Sequence, residues 1–456
     1  MQSAYLNDLY VGEPFLLYRV GCLEGEVRKR WFEPNSTVNP PQKLVEFLET
    51  QIVRTRGMVA LCHNDLDGLA AGLILKRFLA LVFNKTVYTF HSYFGIADND
   101  IECLKRKKPI DVLWVIDKGT AEQFHKLSEY AERIIIIDHH KPEGPLSSSM
   151  LVYNPMTLGS KTSPPASFLL YKLVSSVGFH NVCVDFLALV GSRADDAFDP
   201  VTNHVQTGMS RFYTESKEKY QPLFKLRAEK PTRFDLERRD CTTLLNQITE
   251  VLNCATYARD YIENLKVSGS EFLSNLLSQY CRNLEKSPEI LQQDTFNLNS
   301  FMELTGDYHT VESVYCHCTA SFEKTQQVVK DMKLVKKKNG LSVFLLCGQL
   351  PKTAPAVGKI ELYEQRAKDT IESGILVLVN EKQRGFTLST RSVNTSMDLG
   401  NFMEKLVRYL KMRFHVDSGI EGGGQAEAAG GFISPALGLD LHQIEKEVRS
   451  FLEEYF

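Results

Sequence analysis

Ile134-Ile135-Ile136-Ile137-Asp138-His139-His140 is the stretch that decides the fold of this 456-residue chain. Four consecutive β-branched residues are typical of a strand that is buried on both faces, as in a parallel sheet. An acid and two imidazoles follow at once, and sites in open parallel sheets form just beyond the carboxyl ends of strands. Carboxylate and imidazole both bind divalent metal ions, so the stretch indicates either a metal site or a helix cap beside two surface histidines.

A second group of ligand-type side chains follows an upstream strand. Residues 57–62 have the pattern of a buried strand that runs into His63-Asn64-Asp65-Leu66-Asp67-Gly68, and residues 69–83 have the pattern of a packed helix. In a strand-to-helix turn the histidine and both aspartates project into one crevice. A helix N-cap explains only one of the two acids, because Asp65 and Asp67 cannot both cap one helix.

The segments between these two groups continue the alternation of strands and helices. A strand is predicted at residues 86–90, a short helix at 98–107, a strand at 111–117 that ends in Asp117, and an amphipathic helix at 121–133. This β-α-β-α-β order predicts a doubly wound parallel sheet. Further on, an apolar segment leads to Asp195, which is either a plain helix cap or the last carboxylate of the same crevice.

The predicted strand ends therefore collect a set of residues that can hold two metal ions. Two divalent ions need a bridging carboxylate and several further ligands. The candidate ligands are His63, Asp65, Asp67, Asp117, His139 and Asp195. Their four carboxylates balance the charge of two dications, and oxygen ligands mixed with a few imidazoles suit Mn²⁺ or Mg²⁺. Hydrolysis of a phosphoester or phosphoanhydride is the reaction class that fits such a site.

Composition sets the broad class of the protein. The net charge of −3 gives no general case for a nucleic-acid partner, and the ten cysteines form no repeated metal-binding pairs, as expected of reduced thiols in an intracellular protein. No apolar run reaches the length of a transmembrane helix, and the first residues lack the order of a signal peptide. We therefore expect an intracellular protein, cytoplasmic or nuclear, without a membrane partner.

The second half of the chain predicts a connector and a further α/β unit. Residues 200–330 are polar and helical, and strands and helices alternate again from about residue 341. One predicted strand, at 385–392, carries Ser389 and Arg391. It is followed by Gly422-Gly423-Gly424-Gln425-Ala426-Glu427-Ala428-Ala429-Gly430-Gly431, which predicts an ordered loop whose backbone N–H groups can approach an anion closely.

Taken in order, these segments resemble the motifs of a known superfamily. HNDLDG, VIDKGT, IDHH and the acid of GSRADD are similar to the four motifs of the DHH phosphoesterases, and GGGQAEAAGG resembles the GGGH-x-x-AAG signature of the DHH-associated C-terminal domain. A VGKI-like segment and LSTRS precede that signature in the same order. The similarity covers roughly residues 57–200 and 335–456 and is closest to the RecJ-like branch, especially its archaeal-type members.

The resemblance implies an α/β fold of two lobes: a doubly wound parallel-sheet DHH domain and a smaller α/β C-terminal domain, joined by a helical connector. The domains expected are an N-terminal extension at 1–56, a catalytic DHH domain at 57–200, a connector at 201–334 and a substrate-binding domain at 335–456. The six candidate ligands above would hold two divalent ions, Mn²⁺ or Mg²⁺.

The resemblance also implies roles for residues outside the ligand set. Asp138 would orient the histidines, and His140 would contact the scissile phosphate or a metal. The substrate's phosphate or terminal nucleotide would be held by Ser389, Arg391, Gly422, Gly423, Gly424 and Gln425. The last of these departs from the superfamily, which usually has a histidine at that point.

The leading functional hypothesis is a metal-dependent exonuclease or oligonucleotide phosphodiesterase acting on single-stranded nucleic acid, with partners among replication or repair proteins. A small-nucleotide or oligoribonucleotide phosphatase is the second hypothesis, which the extra helical connector weakly disfavours. The third is an inactive RecJ-related scaffold of a replication complex. Intact acids in all four motifs argue against a scaffold, because mutually repelling carboxylates serve no purpose there.

Overall fold

A computed structural model describes residues 38–456, except 93–94, 143, 145, 161–162, 263–264, 384 and 425–427, so Gln425 lies outside the described residues. The strands and helices of the first lobe are α1 Gln42–Thr50, β1 Met58–His63, α2 Leu66–Phe83, β2 Tyr88–Ser92, α3 Asp98–Lys107, β3 Ile110–Ile116, β4 Ala131–Ile137, β5 Met150–Tyr153, α4 Ala166–Ser176 and α5 Val182–Ala194. Within the described residues, no helix is both long and apolar enough to cross a membrane.

The first lobe is built on a five-stranded, fully parallel sheet in the order β2-β1-β3-β4-β5. The order reverses between β1 and β3, because the chain first adds β2 on one side and then β3, β4 and β5 on the other. Ligands bind in the crevice at such a switch point, beyond the carboxyl ends of the strands. The predicted doubly wound sheet is confirmed, and its crevice opens where β1 ends at His63 and where Asp117 follows β3.

The four isoleucines of β4 pack into two different cores. Ile135 and Ile137 belong to the large core beneath α2, α4 and α5, while Ile134 and Ile136 belong to a smaller core on the opposite face. All four are at most 3% exposed. Because side chains alternate along a strand, an uninterrupted apolar run is needed only where both faces are covered.

The predicted amphipathic helix at 121–133 is wrong. A 3₁₀ segment occupies Glu122–Glu129, and β4 begins at Ala131, which pairs with Ile110 of β3. Phe124 and Leu127 still pack into the smaller core, at 2% and 3% exposed. Their spacing of three residues is common to both helix types, and the crossover must end early enough for Ala131 to enter the sheet.

The connector packs against the first lobe. Its elements are α6 Ser210–Lys219, α7 Gln221–Phe224, α8 Leu244–Ala255, α9 Ala258–Tyr261, α10 Gly269–Leu284, α11 Leu298–Leu304 and α12 Tyr308–Val329, with two-residue strands β6 Phe198–Asp199, β7 His204–Val205, β8 Leu226–Arg227 and β9 Thr242–Thr243. The rings of Phe186 and Tyr280 lie 4.5 Å apart and those of Tyr280 and Phe301 lie 4.8 Å apart, so the large core continues across the connector. The predicted domain limits remain a prediction.

Helix α12 links the two lobes. Val311 near its start lies in the large core, and Val329 at its end lies in a core of the second lobe. A 22-residue α-helix is about 33 Å long, so it spans the distance from one core to the other.

The second lobe is a mixed six-stranded sheet between two helical layers. Its elements are β10 Lys333–Lys338, β11 Leu341–Gly348, α13 Ala354–Ala367, β12 Ser373–Lys382, β13 Gly385–Val393, α14 Leu399–Phe414, β14 Ile420–Gly424, β15 Ala428–Ile433 and α15 Leu441–Tyr455. The strand order is β10-β11-β12-β13-β15-β14, and only β11 and β12 are parallel. Helices α14 and α15 cover one face, and α13 covers the other.

The predicted glycine loop is instead the edge of this sheet. Gly422 to Gly424 form the end of β14, and they pair with Gly431, Gly430 and Ala429 of β15. The small residues let β14 and β15 lie close together. Gly424 has φ +150°, and a Cβ on it would lie 2.6 Å from the Cα of Ala429. A side chain at Gly400 would collide with the carbonyl oxygen of Gly424, so the glycines also let α14 reach this edge.

Candidate metal centre

Asp117 is the central residue of the crevice. It follows β3 directly, has a left-handed backbone (φ 57°) and is 1% exposed. Its N–H donates to the carbonyl oxygen of Ile137 (2.9 Å), which fixes the end of β3 beside the end of β4. Asp tolerates the left-handed region better than most residues, so the backbone turns here without a glycine and aims the carboxylate into the crevice.

The two oxygens of Asp117 face two different groups of ligand-type side chains. Its Oδ1 lies 3.2 Å from His139 Nε2 and 3.7 Å from His140 Nδ1, while its Oδ2 lies 3.4 Å from His63 Nδ1. Two triads result, Asp117 with His139 and His140, and Asp117 with His63 and Asp65, each with its ligand atoms within 4.8 Å of one another. Asp117 is therefore shared by the two triads, each of which could hold a metal ion.

Asp195 lies next to the first triad. Its Oδ2 is 3.6 Å from His139 Nδ1, so His139 has a carboxylate near each ring nitrogen. Asp195 also forms the C-cap of α5, directly after its last residue. Asp195 therefore both caps α5 and places its carboxylate at the edge of the crevice.

Asp65 and Asp67 each cap a helix, but not the same one. Asp65 Oδ1 accepts from the N–H of Gly68 (2.9 Å) at the start of α2, and its Oδ2 lies 2.9 Å from His63 Nδ1. Asp67 accepts from the N–H groups of Ala166 (2.8 Å) and Ser167 (3.0 Å) at the start of α4, and from the Ser167 hydroxyl. Asp67 therefore belongs to neither triad, and both of its oxygens accept hydrogen bonds from the start of α4.

Asp138 positions His140 rather than joining a triad. It is fully buried, and its Oδ1 lies 2.9 Å from His140 Nδ1. It also accepts from the Thr120 hydroxyl (2.7 Å) and the Gly119 N–H (3.3 Å), so the loop after β3 holds it in place. The resemblance implies that Asp138 orients both His139 and His140; in the structure it contacts the ring of His140.

Asn154 is a site residue that the sequence reasoning missed. It follows β5, is 1% exposed, and its Nδ2 lies 2.8 Å from the His140 carbonyl oxygen, 3.0 Å from Thr120 Oγ1 and 3.4 Å from Asp138 Oδ2. Its position directly after a further strand of the parallel sheet could have identified it as a site residue. Asn154 therefore ties the His140 loop to the network around Asp138.

We expect Asn154→Ala to weaken metal binding about 10–100-fold, the usual cost of losing a residue that orients metal ligands. Titration of Mn²⁺ into the folded variant measures the effect. Asn181→Ala is a matched control. Asn154 Oδ1 accepts from the Met156 N–H at the start of a 3₁₀ turn, and Asn181 Oδ1 accepts from the Cys183 N–H at the start of α5 in the same way, outside this network. An Asn154→Ala protein with wild-type Mn²⁺ affinity would contradict the positioning role.

The electrostatics of the crevice reflect four converging carboxylates. Burial and the neighbouring Asp117 raise the pKa of Asp67 to about 7, and burial raises the pKa of Asp195 well above its usual value. Burial also acts on Asp117, but the interactions with His139 and His63 hold its pKa well below the usual range. Burial would lower the pKa values of the two histidines, but Asp65 beside His63 and Asp195 beside His139, together with Asp117, outweigh it and raise both pKa values. The acids and imidazoles of the crevice hold protons between them, and bound divalent cations can replace these protons.

The donor set fits oxygen- and nitrogen-binding ions. Cys62, one residue before His63, is fully buried in the large core, and burial raises the pKa of its thiol to about 12. It is therefore no thiolate donor. Carboxylate and imidazole groups remain, which is the chemistry of a Mn²⁺ or Mg²⁺ site with some nitrogen ligands.

Asp196, beside Asp195, connects the crevice to the second lobe. Its Oδ2 lies 2.6 Å from Lys359 Nζ of α13, and its Oδ1 lies 2.9 Å from Arg193 Nη1. Burial opposes ionisation, but Lys359 and Arg193 hold the pKa of Asp196 at about 2. Sequence reasoning noted the segment that contains Lys359 without giving this lysine a role.

Ser389 and Arg391 lie on one face of β13, the face covered by α13. Thr390 between them is fully buried, while both flanking side chains are half-buried. Burial lowers the pKa of Arg391, and its guanidinium is close enough to Tyr257 and Asp196 for both to oppose that shift. Arg391 therefore lies near Asp196, next to the crevice of the first lobe.

A second contact between the lobes comes from the loop after β4. Lys141, directly after His140, donates from its Nζ to Asn401 Oδ1 (3.3 Å) near the start of α14. Helix α14 begins against the glycine edge at Gly424. The Lys141 and Lys359 contacts bring the glycine edge, Arg391 and the triads to one cleft between the lobes.

The two-lobed fold of this chain is similar to that of solved structures of DHH-domain and RecJ proteins. A protein described as a DHH-domain member of a family of ribosomal proteins has a TM-score of 0.58 and 16% identity, over 94% of this chain and 96% of that one. Exonuclease RecJ bound to manganese has a TM-score of 0.54 and 17% identity, over 92% and 95%.

A third similar structure is CDC45 from Entamoeba histolytica, with a TM-score of 0.50 and 10% identity over 90% of this chain and 98% of that one. No protein-family model matches the chain, and a search of curated proteins found no match. The chain has the RecJ-like DHH fold, which confirms the fold that the motifs predicted.

Proposed function

We propose that this chain is a metal-dependent phosphodiesterase that removes nucleotides from an end of single-stranded nucleic acid. The observation that carries the proposal is Asp117, whose two oxygens face two triads at the switch point of the sheet. His63, Asp65, His139 and Asp117 would hold two ions, Mn²⁺ or Mg²⁺, with Asp195 and Asp67 beside them. When bound, such ions polarise phosphoryl oxygens and stabilise the leaving oxygen.

The protein's own residues would orient the substrate's phosphate. His140 is half-buried beside Asp117, and the bond from Asp138 fixes its ring, so it would contact the scissile phosphate from the first lobe. Arg391 and the Gly422–Gly424 edge would hold the adjoining phosphate or the terminal nucleotide from the second lobe. A cleft between two lobes would favour the end of a nucleic-acid strand over its middle.

The test is a time course with Mn²⁺ on RNA and DNA strands labelled at the 5′ or the 3′ end, with phosphoadenosine phosphate and dinucleotides alongside. We expect stepwise shortening of one labelled end, which chelation abolishes and added Mn²⁺ restores. Hydrolysis of the short compounds alone would support a small-nucleotide phosphatase instead. No hydrolysis of any substrate with Mn²⁺ or Mg²⁺ would contradict the proposal and leave the scaffold hypothesis.

We expect Arg391→Lys to lower kcat/KM about tenfold, because a lysine keeps the charge but loses the planar pair of donors that binds a phosphate bidentately. Steady-state kinetics on the preferred labelled strand measure the change. Arg408→Lys, the same substitution at an exposed position of α14, is the matched control. Equal kinetics for both variants and the wild type would remove Arg391 from the substrate site.

A further inference from the structure

The outer strand on one side of the second sheet is rich in lysine. β10 carries Lys333, Lys336, Lys337 and Lys338, and Lys330 lies three residues before the strand begins. None of these five lysines forms an ion pair with another described residue. Lysines on an edge strand discourage pairing with a further strand, but their unbalanced charge also attracts anions.

The register of β10 places two of these lysines on the same face of the sheet. Lys336 pairs with Val343 and Lys338 pairs with Leu341, and both partners contribute to the core under α14 and α15. Paired residues of an antiparallel ladder have their side chains on the same face. Lys336 and Lys338 therefore lie on the face of α14 and α15, while Lys337 between them lies on the opposite face.

These two lysines line a pocket at the end of α15. Its volume is about 340 Å³, and its other walls include Tyr455, Phe456 and Met397. The Nζ of Lys336 reaches the end of α15, where it donates to the Glu453 carbonyl oxygen (3.3 Å). Both aromatic residues are half-buried, so the pocket combines aromatic surface with two ammonium groups.

Lys405 of α14 adds a third cation beside the same aromatic residues. Its Nζ donates to the Tyr455 hydroxyl (3.4 Å) and lies 5.2 Å from the centroid of that ring. Lys405 is exposed and has no ion pair in the described part of the chain. Aromatic rings that stack on bases, beside cations that contact phosphates, are typical of sites for single-stranded nucleic acid.

The pocket and the cleft lie at the same end of the second sheet. One row of paired residues crosses this end from β13 to β10 and consists of Val393, Gly374, Ser342 and Lys337. It starts two residues beyond Arg391 and covers three strand spacings, or about 14 Å. On the face of α14, Met397 of the pocket lies four residues before Asn401, which accepts from Lys141 of the cleft. Four residues span at most about 14 Å, so one strand of nucleic acid can reach both places.

We propose that this pocket binds a base of the single-stranded nucleic acid that occupies the cleft, while the adjoining phosphates contact Lys336, Lys338 and Lys405. The inference rests on the proposed function and adds to it a preference for strands that are long enough to reach both places. The lysines would also attract an acidic peptide, but the position of the pocket beside the cleft favours the strand that the cleft holds.

The experiment measures, by fluorescence anisotropy, the binding of labelled DNA and RNA single strands of about ten nucleotides, which is long enough for the pocket and the cleft. Excess chelator prevents hydrolysis. Lys336→Gln/Lys338→Gln should raise the Kd about tenfold, because two phosphate contacts are lost. The slope of log Kd against log salt concentration should fall by about 1.4, which is about 0.7 for each contact.

Lys330→Gln/Lys337→Gln is the matched control, because it removes two charges from the same segment at positions that do not line the pocket. Its Kd should stay within about twofold of the wild-type value. Equal Kd values for all three proteins, equal losses in both double variants, or tighter binding of a polyglutamate peptide than of the strands would each overturn the inference.

Phe456→Leu tests the aromatic surface. Leucine keeps an apolar side chain next to Phe402 but has no ring face, so the Kd for the strands should rise about fivefold or more. Binding of inorganic polyphosphate, which has no bases, should not change. An unchanged Kd for the strands, or an equal loss for polyphosphate, would contradict base binding in the pocket.

The binding measurement also separates this inference from the catalytic proposal, because it needs neither metal ions nor hydrolysis. Absence of hydrolysis together with weaker binding by Lys336→Gln/Lys338→Gln would remove the catalytic proposal and keep the binding site. Hydrolysis of the strands together with an unchanged Kd in that variant would remove the binding site and keep the catalytic proposal.

Discussion

Asp117→Asn should lower kcat/KM about 10³-fold or more while the protein stays folded. Asparagine has the same shape and tolerates the left-handed φ of 57°, whereas alanine would add backbone strain at this position. Its neutral amide cannot bridge two cations, and the loss of several kcal/mol of charge stabilisation corresponds to about three powers of ten in rate. Labelled-strand kinetics with Mn²⁺, together with an unfolding midpoint for each protein, provide the measurement.

Asp111→Asn is the matched control for this change. Asp111 lies at the opposite end of the same strand, where its Oδ2 accepts from the N–H groups of Arg56 and Gly57, bonds that an asparagine oxygen can also accept. The control removes the same charge from β3 and should leave kcat/KM unchanged. Full activity of Asp117→Asn would exclude a bridging role, and equal losses in both variants would show a general effect of charge.

Arg193→Ala should lower the free energy of unfolding by about 3–5 kcal/mol, the usual cost of removing one partner from a buried ionic network. Arg193 is 2% exposed and donates to Asn246 Oδ1 (2.7 Å), Asp196 Oδ1 (2.9 Å) and the Phe234 carbonyl oxygen (2.8 Å). Its removal leaves buried acceptors without donors. Urea unfolding, followed by tryptophan fluorescence, measures the difference in midpoint and slope.

Arg211→Ala provides the comparison for that prediction. Arg211 is 41% exposed and pairs with Glu215 one helical turn away, so its loss should change the free energy of unfolding by less than about 0.5 kcal/mol. Arg193→Lys should lie between the two, because it keeps a charge but cannot reach all three acceptors. Similar losses for Arg193→Ala and Arg211→Ala would mean that the buried network contributes no more than a surface pair.

Much of the first lobe could be predicted because its signals are local. The isoleucine run of β4 and the acids that follow β1 and β3 are contiguous in sequence, and parallel strands bring their ends to one edge. The shared position of Asp117 between His63 and His139 follows from strand order. That order could be expected from the alternation of strands and helices.

The contacts and residues that the sequence did not predict join distant parts of the chain. Asp67 caps a helix that begins about a hundred positions later, and Lys359 pairs with Asp196 across 163 positions. Asn154 has an ordinary turn sequence, Asn before Pro, and only the folded sheet places it under the His140 loop. The glycine segment was mistaken for a loop because glycines also occur where strands and a helix must approach closely.

Because α12 is one continuous helix, its number of residues sets how the two lobes are placed across the cleft. Each residue inserted into an α-helix advances it by about 1.5 Å and rotates the downstream chain by about 100°. One insertion near the middle of α12 would therefore swing Lys359 away from Asp196, although every lobe residue stayed the same. Length variation is tolerable in the turn at Asn339–Gly340, where two strands are merely joined. Among natural relatives, insertions and deletions should accordingly be scarce within α12 and frequent in the turns around it.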